Sequence, residues 1–315
     1  MSAQLWQQRT LPVTQLIAPD LLDPVTLSMA RDFNRLINGS MEVAQRGSTS
    51  LTTGAGAYTL DRWRVADSDA ACSGTVAQAA STAFGSGYCM QVTASHTSGI
   101  LYVSQRVESV VARSLVGDTG RLTATVLHDF GTAVTVYLDV YTANAADNFA
   151  AVTTLVSSAG VSVPSGVATV LTLDVPFGTG NVANGLLVQV RTAATSVTSK
   201  NFYLGDVVLS EQAVTGGNRR PRQVEALLCD RYFQRNVPMG GRGFSAGAGQ
   251  ATGSTYTLRT TMRAAPTITP VVGVQSNVDT LSYHAQSAAG GCVTIPSAAS
   301  GDFYWFGSVT ADAEL

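Results

Sequence analysis

The sequence predicts a mainly β protein: an N-terminal extended arm and short helix, an antiparallel jelly roll or β-sandwich, a short connector helix and a second, smaller β domain. Three observations predict it. Short runs of alternating apolar and polar residues, broken by Gly, Asn, Asp and Ser, fill residues 41–212 and return after residue 238. Between them, RRPRQVEALLCDRYFQR at 219–235 is the one stretch of the second half that is both dense in charge and helical in period. No apolar run approaches the roughly 18 residues of a bilayer span, so a soluble protein is expected.

At 315 residues the chain can bury two cores of ordinary size without metal or disulfide staples. Only 13% of residues are charged and the formal net charge is -2, which supplies no general field for nucleic acid or an acidic membrane. The opening MSAQLWQQRTLPVTQL has no basic segment followed by an apolar one, so no secretory signal is expected and assembly in a cytoplasm is. Cys72, Cys89, Cys229 and Cys292 lack CxxC spacing and a histidine cluster, and are read as reduced thiols.

The elements follow in order. Residues 1–37 combine an arm, whose Leu5, Trp6, Leu11, Leu16 and Ile17 have no regular period and either stay loose in solvent or, as expected, lie on a partner surface, with a helix begun by Asp23-Pro24 and ended by Asn38-Gly39. Residues 38–212 read as the sandwich. In VTVYLDVYT, Val134, Val136, Leu138 and Val140 take one face, and Thr135, Tyr137, Asp139 and Tyr141 the other. The same alternation marks Leu122, Ala124 and Val126; Leu171, Leu173 and Val175; and Val188 and Val190. Residues 213–237 form the connector, where Pro221 starts a helix with Val224, Leu227, Leu228 and Tyr232 on one face. Residues 238–315 begin with a glycine-rich loop, MGGRGFSAGAGQATGS, and continue as strands near 256–262, 267–274, 280–286, 293–295 and 303–310.

Asn38-Gly39-Ser40-Met41-Glu42-Val43 leading to Gln45-Arg46-Gly47, then Tyr58-Thr59-Leu60-Asp61-Arg62-Trp63, resembles the entry to a carbohydrate-binding-module-like jelly roll of tailed-bacteriophage fibre and spike proteins. The connector EALLCDRYFQR is similar to that family's link to its C-terminal domain. Met262-Arg263-Ala264-Ala265-Pro266-Thr267 and the final Ala311-Asp312-Ala313-Glu314-Leu315 look like that domain itself. The resemblance implies a virion structural protein, a homotrimeric tail fibre or head spike. It would be attached to capsid or tail proteins through the arm, assembled in the host cytoplasm, and present β domains to host-surface polysaccharide. A capsid decoration protein without a receptor role is the alternative, and a polysaccharide depolymerase a third reading.

No catalytic residue is assigned, and an enzyme is not expected. Gly243-Phe244-Ser245-Ala246-Gly247 fits the pattern of a nucleophile elbow, but no helix follows to expose the serine. His96, His128 and His284 fall in different segments. No cofactor is expected, although Asp67-Ser68-Asp69 offers hard oxygen ligands for a structural calcium ion. What remains is recognition of sugars, whose apolar C–H faces want flat rings beside acids, amides or arginines. Tyr137, Asp139 and Tyr141 offer that chemistry on one strand face; Tyr304 and Trp305, in DFYWF, are the second candidate, with core or interface as the competing reading for both strands.

Overall fold

A computed structural model of the chain describes residues 34–54, 56–178, 180–210 and 219–315. The predicted arm and first helix lie outside these residues. Among the described residues the protein is mainly β, with two short helices, α1 (Ser109–Ala112) and α2 (Arg222–Asp230), and neither is long and apolar enough to cross a membrane.

The first body is a two-sheet sandwich. One sheet runs β1 (Thr49–Ser50), β4 (Ser73–Ala80), β5 (Tyr88–Gly99), β13 (Thr195–Ser210), β7 (Thr119–His128) and β11 (Thr169–Pro176). The other runs β10 (Val161–Val163), β8 (Val134–Ala145), β12 (Leu186–Thr192), β6 (Leu101–Val107), β3 (Arg64–Asp67) and β2 (Ala57–Tyr58), with β9 (Asn148–Ser157) also pairing β8. The strands pair antiparallel throughout the described residues. The alternation read from the sequence sorts the sheets as expected: Val134, Val136, Leu138 and Val140 join Leu122, Ala124, Val126, Val188 and Val190 in one buried cluster. Trp63 is buried there too, and its indole N–H donates to Asn38 O at 2.9 Å.

The second body stacks β14 (Phe233–Ser245), β19 (Gly301–Asp312) and β16 (Thr267–Ser276) against β15 (Ala251–Thr257), β18 (Gly290–Pro296) and β17 (Ser282–Ser287). Phe303, Trp305, Val293 and Ile295 fill the space between them. Here the glycine-rich stretch differs from expectation, because its first half, through Ser245, is strand β14 and its end, from Ala251, is strand β15. Its glycines make room for the aromatic rings of β19 rather than loosening the chain. A methyl group added at Gly243 would sit 2.7 Å from the Phe303 ring, and one at Gly240 would sit 2.4 Å from that of Phe306.

Helix α2 begins at Arg222, with Pro221 immediately before it. It is not a free-standing rod. Leu228, Cys229 and Tyr232 pack on Ile37 and Val43 with Val224 against them, whereas Leu227 turns outward at 46% exposure, so the expected four-residue face holds for Val224, Leu228 and Tyr232 but not for Leu227.

The motifs that carry the family resemblance meet at this junction. Asn38, at φ 55°, bonds Val43 and Asp61 through its side chain, and Gly39 passes so close to Val207 that a methyl group there would lie 2.1 Å from its carbonyl oxygen. Buried Glu225 accepts from Asn38 N at 2.7 Å and from Arg220 at 2.8 Å. Arg62 donates to Glu314 and to Arg106 O, with its guanidinium 3.5 Å from the centroid of the Tyr232 ring. Glu108 takes Arg231 and Arg263, and Asp230 takes Arg259. Desolvated charges of this kind hold only when paired, so these partners fix the two bodies together.

Candidate functional site

The face of the seven-stranded sheet that turns away from the core is the candidate. Strand register sets its rows. Tyr137 lies opposite Arg191, and Arg191 opposite Tyr102. Asp139 lies opposite Gln189, followed by Ser104, Arg64 and Tyr58 on successive strands. Tyr141 lies opposite Leu187, and Leu187 opposite Arg106. With strands about 4.8 Å apart, these rows form a patch a few sugar rings wide.

Its centre is built on a buried acid. Asp139 is 0% exposed and accepts from Arg191 Nε at 2.7 Å, while the Arg191 side chain keeps 28% of its surface. The guanidinium lies 4.0 Å from the centroid of the Tyr137 ring. Clamped by the acid on one edge and the ring below, Arg191 presents a planar donor fork in one orientation. Asp139 Oδ1 has no hydrogen-bond partner, an arrangement that costs about 1–3 kcal/mol in a buried site. Burial first, and then the Asp139 charge, raise the Tyr141 phenol above its ordinary pKa.

Tyr137, Asp139 and Tyr141 therefore share one face, with both rings half-buried and the acid beneath them. Tyr304 and Trp305 belong to the other body. Tyr304 is half-buried on the outer face, 6.0 Å from the Phe306 ring between centroids, but Trp305 is 0% exposed and faces the core. Alternation along β19 separates the two, so they cannot form one surface. Leu5, Trp6, Leu11, Leu16 and Ile17 lie outside the described residues.

Tyr102, Gln189 and Arg191 were not singled out in the sequence. Gln189 and Arg191 are the polar alternates of the Val188/Val190 strand, so their facing was legible; their adjacency to Tyr137 was not. It depends on β8 pairing with β12, across a separation that local pattern does not reveal.

The loop acids are already engaged. Asp67 takes His96 Nδ1 at 2.6 Å and Asp69 N at 2.8 Å, and Asp69 takes the N–H groups of Ala71, Thr97 and Ser98. Those bonds hold the Asp69 carboxyl below the usual range. Their oxygens accept from protein donors, and no group of three His, Cys, Asp or Glu that could hold a metal ion is gathered among the described residues.

His96 Nε2 also reaches Thr195 Oγ1 at 3.0 Å, which aligns an acid, a histidine and a hydroxyl. The Asp67 and His96 side chains are both sealed from solvent, so the trio clasps β3, β5 and β13 across the sandwich and leaves a substrate no access to its base. Ser245 Oγ bonds Gly247 O and Ser297 Oγ, without a histidine. The four cysteines are free thiols.

No protein-family profile matches the chain, and no curated protein does. Among solved structures it is similar to a putative sugar binding protein from Bacteroides thetaiotaomicron, at 12% identity over 56% of this chain and 99% of that one, with a TM-score of 0.42. TmCBM61 in complex with beta-1,4-galactotriose gives 13%, 56%, 98% and 0.34. The enzymatically active domain of Bacteriophage CBA120 tailspike protein 4 gives 10%, 58%, 23% and 0.37. These likenesses concern the fold, and what those proteins bind carries no argument for this chain.

Proposed function

We propose that the chain is a binding and structural protein of a phage virion, a fibre or spike subunit that holds host-surface glycan on the outward face of its seven-stranded sheet. The observation that carries the glycan reading is the Tyr137–Arg191–Asp139 assembly. A flat ring suits the apolar face of a sugar, while the guanidinium fork and neighbouring Gln189 suit its hydroxyls. The virion role rests on the motifs at 38–63, 225–235, 262–267 and 311–315, which converge on one packed junction. The N-terminal arm is the part assigned to attachment to other virion proteins, and the subunit is proposed to assemble in several copies. Multiple copies raise weak single-site affinity through effective concentration.

The test is binding of the purified protein to immobilised glycans and to host cells, with wild type compared against Tyr137→Ala and Tyr141→Ala. Loss of binding in folded variants supports the reading. Unchanged binding places the site elsewhere, and absence of any glycan binding leaves the decoration role in its place.

A further inference from the structure

Resting on the several-copy assembly proposed above, we infer that the outward face of the second body's β14-β19-β16 sheet is where copies of this chain meet. Among the described residues twelve large apolar side chains are exposed, and five of them, Phe244, Val271, Val272, Val274 and Phe306, lie on the three strands of this one sheet. The other seven are spread over the first body and α2, and single apolar residues of that kind are ordinary on a surface. Register gathers the five instead of scattering them. Phe306 stands opposite Val274 on one side and Gly240 on the other, Val271 opposite Ser308, and Phe244 opposite Asp302. Cross-strand partners project from the same face, so Phe244, Phe306, Val271 and Val274 form one apolar surface, on which Phe244 is 74% exposed. Val272, opposite Gly307, turns to the other face and still keeps 53% of its surface exposed, which leaves β16 uncovered on both sides.

Charge selects the occupant. Over residues 238–244, 271–276 and 302–308 the charged side chains are Arg242 and Asp302 alone. Both are exposed on the outward face of adjacent strands, and among the described residues neither joins an ion pair. A face with one unpaired cation and one unpaired anion is complementary to its own copy, turned so that Arg242 of one meets Asp302 of the next; a uniformly basic or acidic partner leaves one of the two unmatched. The area agrees. Three strands about 4.8 Å apart and about 33 Å long give a face of roughly 450 Å², and the second side and outer edge of β16 add about 300 Å². Together they come close to the ~800 Å² per partner of a standard interface. Pro270 and the register shift at Gly273 interrupt β16 as a hydrogen-bonding edge, so the copies meet through side chains and not by extending the sheet.

The experiment is sedimentation velocity of the full chain at micromolar concentration. Wild type is expected to sediment as an oligomer. Phe244→Glu combined with Val274→Glu, both at exposed positions, is expected to yield the monomer with circular dichroism unchanged, whereas Val170→Glu, at an exposed position of the first body, leaves the oligomer intact. Arg242→Asp is expected to weaken association about tenfold or more, and Arg242→Asp with Asp302→Arg to restore it. A double charge swap that stays as weak as the single change overturns the pairing of identical faces. Oligomers that survive Phe244→Glu with Val274→Glu overturn this interface and leave assembly in several copies standing. A wild type that remains monomeric overturns both.

Discussion

Arg191 Nε meets Asp139 Oδ2 at 2.7 Å, and the acid, fully buried, has no other hydrogen-bond partner. Arg191→Met therefore strands a desolvated carboxylate and is expected to destabilise the protein by about 3 kcal/mol. Asp139→Asn removes that charge and is expected to cost less, about 1–2 kcal/mol. Urea titration of both variants checks the order. Equal losses would show that the pair does not behave as a buried ion pair.

The junction is expected to be as sensitive as a core. Arg62 is buried, donates to Glu314 and lies over Tyr232, so Arg62→Gln leaves Glu314 without its nearest cation and is expected to cost about 3–5 kcal/mol. Limited proteolysis should then cut between the bodies, near 231–232, where α2 gives way to β14, sooner than in wild type. A variant as resistant as the parent would mean that the ionic knot does not hold the bodies together.

Stability should also carry a signature of Asp61. Burial, the largest influence, raises its carboxyl to about 6, while the unfolded value is about 3.9. The folded state thus binds this proton more tightly, so its contribution is greatest below about pH 4 and is lost as pH rises towards 6, by roughly 2–3 kcal/mol. Glu108 works in the opposite sense: burial pushes it up, but Arg231 and Arg263 more than offset this, and its stabilisation disappears as pH falls. Asp61→Asn should gain stability relative to wild type between pH 4 and 7. A difference that is flat across that window contradicts the assignment.

Strand β14 supplies a steric test. Gly243 lies under the Phe303 ring, so Gly243→Val is expected to destabilise the second body by about 2 kcal/mol or more through overpacking. Gly247 has open space around it, and Gly247→Ala should change little. Thermal unfolding of the two variants separates packing from composition.

The sandwich was legible because alternation at Val134–Val140 and Val188–Val190 is a local signal and the buried face follows from it directly. Strand β14 was hidden because glycine reads as loop until the ring above it is known. The Tyr137–Asp139–Tyr141 face was legible as chemistry, but its arginine came from a strand whose pairing no local pattern declares. Trp305 was drawn into a candidate site by its neighbours in DFYWF, although the same alternation that exposes Phe306 at 47% turns Trp305 into the core.

The most direct measurement is adsorption of glycan by three folded variants in parallel: Tyr137→Ala, Tyr141→Ala and Tyr304→Ala. The account predicts that the first two lose most binding, because each removes a ring beside Asp139, and that the third keeps it. Binding that survives both sheet variants and falls with Tyr304→Ala would contradict it and move the site to the second body.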